Sequence, residues 1–555
     1  MIQSYRHAHA LIQACVAQGI TDIVVCPGSR NSALSLMAAR SALRVHTRVD
    51  ERSASFFALG LARVQRRAVP VVVTSGTAVA NCVPAAVEAY YADLPFMVLS
   101  ADRPARMVGT GASQTIDQRG LFGMFAPLVE PQEGEDEAAL VARAVAQQRA
   151  QVNLPFDMPL VDAQVPPREQ PLPQRAWAPA APRAEWAVDY GTIDLDLSKR
   201  TLVIAGDGAW EEPALAEVPT IAEPSAYAPY RPVHPLAASF FLRPQARSTG
   251  ADGTEYVVDT QPEQVVVVGH PTLHRPVLQL LNQPDIELFV LSRGHTPTDP
   301  ARRATTVPGR VGSAVRATGA PTSQWLRMCE AASNLGATAV REALEDPEFG
   351  FTGLHVAAAV ADTLGVGDTV TIGASNPIRD ASLVGLPFDG VSCYSPRGAA
   401  GIDGTVSQAL GVALAAQDVS YLLWQRPRSV ALLGDVTFLH DAAGLLAPAG
   451  SPRPEALTIV VANDNGGGIF EALEPGQEAL REDFEQVFGT PHDADIEALC
   501  QGYGVHYRAA ESTQELLAAL LDAQEQPDGV VVIEARCTRA TRRALARRLD
   551  QAMSV

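Results

Sequence analysis

Apolar positions along the chain fall into short runs separated by longer amphipathic stretches. ITDIVVCPGS (20–29), VPVVVTSGTA (69–78) and LPFMVLSADRP (94–104) each read as a strand that runs out into a polar loop. Between them, SFFALGLARVQ (55–65) and NCVPAAVEAYYA (81–92) carry helical spacing. The pattern repeats further on at TLVIAGD, QVVVVGH and ELFVLSR, and again at TVTIGAS, SVALLGDV, LTIVVANDN and GVVVIEA. Alternating strands and helices of this kind predict parallel α/β sheets, with ligands at the polar loops after the strands.

Three blocks follow from this alternation. Residues 1–165 and 340–555 are expected to form two doubly wound, mostly parallel sheets flanking a smaller α/β middle block, 189–330. Residues 166–188 hold Pro166, Pro167, Pro171, Pro173, Pro179 and Pro182, and read as an extended, semi-rigid linker. No short-period repeat interrupts the scheme.

Composition narrows the chemistry. At 47% hydrophobic residues the chain can bury a core, and 43 Lys+Arg against 62 Asp+Glu leave a net charge of −19. Such a balance argues against an extended nucleic-acid or anionic-membrane surface. No run is long enough to span a membrane, and the N-terminus lacks the apolar core of a signal peptide. Seven scattered cysteines without a Cys-x-x-Cys pair suit a reducing cytoplasm better than a disulfide framework or a zinc site. Lys199 is the only lysine, and Arg200 follows it. A Walker-A loop, which needs Gly-Lys-Ser/Thr, is therefore excluded, and pyridoxal chemistry is disfavoured.

The strongest local signal is a pair of strand ends. SVALLGDV closes on Gly434-Asp435, and ALTIVVANDNGGG closes on Asn463-Asp464-Asn465-Gly466. One helix and one strand fit between them, so two neighbouring parallel strands would aim Asp435, Asp464 and loop carbonyls at one point. All-oxygen ligands beside a glycine loop suit Mg²⁺ carrying a diphosphate. Gly206-Asp207-Gly208 is the closer literal match to Gly-Asp-Gly, but the next asparagine after it is Asn282, too distant for a paired strand end, and it reads as an ordinary turn. Glu51 sits after a short strand at an expected helix start, where an acidic residue also satisfies the helix dipole. Gly109-Thr110-Gly111 lacks the third glycine of a dinucleotide fingerprint, and no Gly-x-Ser-x-Gly elbow occurs.

Taken in order, Cys26-Pro27-Gly28-Ser29-Arg30, Asp50-Glu51-Arg52, Thr74-Ser75-Gly76-Thr77-Ala78, Ala101-Asp102-Arg103-Pro104, Gly401-Ile402-Asp403-Gly404 and the Asp435/Asp464 pair resemble the thiamine-diphosphate-dependent enzymes, and within them the menaquinone-pathway branch. The resemblance is dense in the first and third blocks and loose in the middle one. It implies a pyrimidine-binding first block and a diphosphate-binding third block, brought together from different subunits of a homodimer or a dimer of dimers. It also implies thiamine diphosphate with Mg²⁺ or Mn²⁺, and 2-oxoglutarate and isochorismate as substrates. Decarboxylation of the first would supply a succinyl carbanion equivalent that adds to the second.

Residue by residue, the resemblance assigns the proton shuttle to Glu51. Cofactor contacts go to Thr74, Ser75, Gly76, Thr77, Ser375, Ile402, Gly434 and Asp435, with Ile402 as the apolar prop under the bent cofactor. The metal ligands are Asp435, Asp464 and the carbonyl of Gly466, where the common pattern has asparagine in place of Asp464. Substrate contacts fall to Ser29, Arg30, Arg103, Gln114, Ser375, Arg379 and Arg397. Arginine forks meet carboxylates bidentately, so four such loop residues suit dianionic substrates. The alternatives are another thiamine-dependent 2-oxo-acid decarboxylase or carboligase, which would favour small apolar substrates, and a non-catalytic protein, which would lack Glu51 or the Asp pair. Arg275, in HPTLHRPV, is placed either at the pocket mouth or on the solvated surface.

Overall fold

The computed structural model describes residues 1–181, 183–226, 231–249, 253, 255–422, 428–525 and 529–554; Pro182 of the expected linker lies outside them. Three six-stranded sheets organise the chain. The first runs Arg44–Thr47, Asp22–Val25, Pro70–Val73, Phe96–Asp102, Arg149–Pro155, Leu128–Val129, with every neighbouring pair parallel. The third runs Ser392–Tyr394, Thr369–Ile372, Ser429–Gly434, Ala456–Asn463, Gly529–Arg536, His506–Ala510, again all parallel. Counted in chain order within each sheet, both read 2-1-3-4-6-5.

The middle sheet is parallel too, and its order is different: Arg231–Pro232, Pro219–Ala222, Thr201–Ala205, Gln264–Val268, Glu287–Leu291, Val311–Gly312, or 3-2-1-4-5-6. A parallel pair (Thr192–Asp196 with Ala314–Thr318) and an antiparallel pair (Gln245–Thr249 with Glu255–Asp259) lie beside it. Central strands such as Pro70–Val73 and Thr369–Ile372 are buried along their whole length, as helices on both faces of a parallel sheet require. In the first and third sheets the strand order reverses between the first and third strands in chain order, and open α/β sheets bind ligands in the crevice at such a point. For the first sheet that crevice lies between the Cys26–Arg30 and Thr74–Thr77 loops. In the third it lies between the Gly373–Ser375 and Gly434–Asp435 loops.

Two devices tie the first block to the third. Helix Glu51–Gln65 crosses helix Thr405–Leu422 at two glycines. A Cβ on Gly60 would lie 2.2 Å from the Gln408 carbonyl, and one on Gly411 would lie 2.3 Å from that of Phe57. Nearby, Arg44 grips Asp418 with both terminal nitrogens at 3.0 and 2.6 Å while its Nε donates to the fully buried Asp22 at 2.6 Å. Trp177, in the proline-rich segment, donates its indole N–H to the same Asp22 at 3.1 Å, strapping that segment to the first sheet. No helix among the described residues is long and apolar enough to cross a membrane.

Candidate active site

Adjacent strands Ser429–Gly434 and Ala456–Asn463 pair Gly434 with Ala462, so the residues that follow leave the sheet side by side. Asp435 opens helix Asp435–His440 and is only 2% exposed. Its Oδ1 accepts the Val436 N–H and its Oδ2 the Gly466 N–H, both at 2.7 Å. His492 Nε2 stands 3.1 Å from the same Oδ2. Asp464 is partly buried, and that burial, followed by the Asp435 carboxylate, pushes it up to about 7. Two carboxylates in one crevice are the electrostatic complement of a cation.

The glycine run beyond them has no room for side chains. A Cβ on Gly466 (φ +135°) would lie 1.9 Å from the Gly489 carbonyl, and one on Gly468 would lie 2.0 Å from Asp464 Oδ2. The run therefore presents bare backbone to a cavity of about 220 Å³ whose wall includes Ser375, Ile402, Asp435, Asp464 and Arg542. Among the described residues no three His, Cys, Asp or Glu side chains converge on one point. Two carboxylates plus backbone, phosphate and water oxygens are the set that Mg²⁺ accepts, so the residues present fit a metal–diphosphate group.

Ser375 caps helix Asn376–Leu383 with φ 76° and ψ −134°, a conformation that is costly for any residue with a Cβ. Its carbonyl accepts Arg379 Nη1 at 2.7 Å, and burial, then the charge of Arg397, lower the Arg379 guanidinium below its ordinary range. Arg397 is 3% exposed and directs Nε at Thr272 Oγ1, 3.2 Å away.

The first sheet gathers the other predicted residues. Asp50 caps helix Glu51–Gln65 by accepting the Arg52 and Ser53 N–H groups, which frees Glu51 at the first helical position. Glu51 Oε2 accepts from Asn81 Nδ2 at 3.3 Å. A Cβ on Gly28 would lie 2.5 Å from Thr74 Cβ, so the Ser29–Arg30 loop rests directly on Thr74–Thr77. Ser75 Oγ donates to the Gln114 carbonyl at 2.8 Å, and Arg103 Nη2 to that of Ser113 at 2.8 Å. Arg30 is buried; Nη1 donates to the Phe156 carbonyl at 2.8 Å, and buried Nε has no partner among the described residues.

Within one chain, then, the predicted residues form two groups. Ser29, Arg30, Glu51, Thr74–Thr77, Arg103 and Gln114 cluster at the first sheet's strand ends. Ser375, Arg379, Arg397, Ile402, Gly434, Asp435, Asp464 and Gly466 cluster at the third's. Among the described residues, none of the first group lines the Asp435 cavity. Arg275 makes an exposed ion pair with Glu474 at 2.9 Å. Asp207 faces Arg63 at 3.5 Å beside a separate cavity of about 410 Å³. His492 and Arg542 carry no motif that marks them in the sequence, since each stands beside other charged residues (Asp493; Arg543); Arg542 is salt-bridged to buried Asp380 at 2.7 Å.

Two family models match the chain: the N-terminal TPP binding domain of thiamine pyrophosphate enzymes over residues 6–121, and the C-terminal TPP binding domain of the same enzymes over 390–535. Fold and strand-end loops thus define a thiamine pyrophosphate enzyme. The 2-succinyl-5-enolpyruvyl-6-hydroxy-3-cyclohexene-1-carboxylate synthase of Corynebacterium glutamicum (strain R) is 56% identical over 542 residues, covering 97% of this chain and 96% of that relative. Its counterpart from Corynebacterium diphtheriae is 52% identical over 539 residues, 97% of this chain and 98% of the relative. The solved benzoylformate decarboxylase from Polynucleobacter necessarius matches with a TM-score of 0.59 over 96% of this chain and 99% of that chain; at 17% identity the likeness is one of fold. The chain belongs to the 2-succinyl-5-enolpyruvyl-6-hydroxy-3-cyclohexene-1-carboxylate synthase family.

Proposed function

We propose that the chain decarboxylates 2-oxoglutarate with bound thiamine diphosphate and joins the succinyl unit to isochorismate, a transferase step of menaquinone biosynthesis. The observation that carries the reading is the pairing of two carboxylates over a bare glycine run with two arginines, half-buried Arg379 and buried Arg397, at the same sheet's strand ends. When bound, the cofactor supplies the electron sink for loss of carbon dioxide.

The residues have distinct tasks in this reading. Asp435, Asp464 and the Gly466 carbonyl hold Mg²⁺ or Mn²⁺ against the diphosphate, with Gly434 and Ser375 beside it. Ile402 supplies an apolar wall, and Thr74–Thr77 contact the pyrimidine. Glu51 takes up and returns the pyrimidine proton at its carboxylate, as a positioned acid–base group does. Arg30, Arg103, Arg379 and Arg397, helped by Ser29, Ser375 and Gln114, bind and orient the substrate carboxylates. Residues 1–165 act as pyrimidine-binding domain, 189–330 as middle domain and 340–555 as diphosphate-binding domain. A homodimer, or a dimer of dimers, completes each site from two protomers, in the cytoplasm, where seven free thiols are at home.

The test is to incubate the protein with thiamine diphosphate, Mg²⁺ and isochorismate, with and without 2-oxoglutarate. Isochorismate absorbance should fall only when 2-oxoglutarate is present. Efficient turnover of pyruvate in its place would overturn the substrate assignment.

A further inference from the structure

We propose that Glu223 and Thr272, both in the middle block, form the seat that aims Arg397 at a substrate carboxylate. The inference rests on the reading of Arg397 as a substrate ligand. It adds a task for the one block that contributes none of the recognised motifs.

Thr272 Oγ1 accepts both Nε and Nη2 of Arg397, with Nε at 3.2 Å. That occupies one edge of the guanidinium fork and turns the Nη1 side toward a ligand. Thr272 is itself held through its backbone. Glu223, just past strand Pro219–Ala222, accepts the N–H of Thr272 and the N–H of Leu273 (2.7 Å) on a single carboxylate oxygen, Oε1. Its other oxygen, Oε2, is buried without a partner among the described residues. Glu223 is 4% exposed, and Arg379 also feels its charge.

From the opposite side, Glu88 accepts the N–H groups of Gly398 (3.0 Å) and Ala399 (2.7 Å), and Arg63 Nη2 reaches it at 3.2 Å. The backbone just after Arg397 is thereby pinned by the first block, and the guanidinium by the middle block. A long arginine fixed at both ends loses little further freedom when a carboxylate arrives, which is how a positioning residue strengthens binding. Burial, opposed by Arg397 and the two N–H donors, raises Glu223 to about 7. An acidic side chain kept in so unfavourable a place suits a specific task.

Steady-state kinetics on five variants test the proposal, with thiamine-diphosphate affinity measured alongside by calorimetry. Arg397→Ala first identifies which substrate's KM it raises. Thr272→Val should raise the same KM about tenfold or more, the scale of one charge-assisted hydrogen bond, without changing cofactor affinity. Thr272→Ser, which keeps the hydroxyl, should restore it. Glu223→Ala should move the same KM in the same direction, while Glu223→Gln, which keeps a carbonyl acceptor, should retain most of the wild-type value. If Arg397→Ala raises a substrate KM but Thr272→Val leaves it within about twofold, the seat is refuted while the assignment of Arg397 stands. If Arg397→Ala changes neither substrate's kinetics, both fall. Should Glu223→Ala fail to fold, the Thr272→Val and Thr272→Ser pair decides alone.

Discussion

Asp435 Oδ2 accepts the backbone N–H of Gly466 at 2.7 Å, a bond that joins the ends of two adjacent strands across 31 positions of sequence. One carboxylate thus both closes the crevice and lines it. Removing it would loosen the glycine run at the same time as it removes a negative charge. The two effects fall on one ligand, the metal–diphosphate group.

Asp435→Ala should therefore lower thiamine-diphosphate affinity in the presence of Mg²⁺ by on the order of a hundredfold, with excess Mg²⁺ restoring part of it. Asp207→Ala should leave that affinity unchanged, because Asp207 faces Arg63 beside a different cavity. Calorimetry on both variants checks the pair. The opposite result would move the diphosphate anchor to the middle sheet.

The sequence sets the two Gly-Asp sites apart because only Asp435 is followed, one helix and one strand later, by an Asn-Asp-Asn-Gly strand end. The strands with continuous apolar runs, such as Pro70–Val73 and Ser429–Gly434, were equally legible. Strand Arg149–Pro155 was not. Its Arg149, Gln151 and Asn153 alternate like a solvated face, yet all are buried and bonded inward. Gln151 donates to Ser100 Oγ and the Gln118 carbonyl, and Asn153 to Asp102. Polar residues satisfied by one another leave no apolar rhythm to read. Glu223 and Thr272 were hidden for a related reason: their partners are remote backbone groups and an arginine, which no local motif announces.

Ser375 and Gly76 share a backbone conformation, φ 76°, ψ −134° against φ 88°, ψ −139°, each at a helix start. Glycine adopts it freely, whereas serine pays about 1–3 kcal/mol. Ser375→Gly should accordingly raise the denaturation midpoint, a net gain on the order of 1 kcal/mol after the greater freedom of an unfolded glycine. The same change should lower kcat/KM by removing a hydroxyl at the cavity wall. A variant less stable than wild type would show that the surrounding loops, and not strain, dominate at this position.

Glu223 predicts a slope of stability with pH. Its folded pKa is raised from the ordinary 4.5 to about 7, chiefly by burial, with Arg397 and the Thr272 and Leu273 N–H groups pulling down and Asp207 pushing up. A raised carboxyl contributes stability that is complete below about 4.5 and lost as pH rises through about 7. The loss is on the order of 3 kcal/mol for a fully buried group. Glu223→Gln carries no titrating proton, so its thermal midpoint relative to wild type should climb between about pH 5 and about pH 8. A difference that stays constant over that range would mean that Glu223 does not titrate there.

Glu51 and Asp435 belong to different blocks, and the proposed site needs both on one cofactor. Glu51→Gln alone should keep cofactor affinity and lose a factor of about 10²–10⁴ in kcat, the scale of a proton-transfer group. Asp435→Ala alone should be inactive through loss of the anchor. If each site joins the first block of one protomer to the third block of its partner, a mixed dimer of the two variants concentrates both lesions in one site and leaves the other intact. Random pairing makes half of the dimers mixed and half of their sites intact, so about a quarter of all sites should work. If a single chain supplies both residues, every site carries one lesion and mixing recovers nothing. Co-expression of differently tagged subunits, with purification through both tags, isolates the mixed dimers. Activity in that fraction near half of wild type supports the shared site, and inactivity removes it while leaving the thiamine chemistry of each block in place.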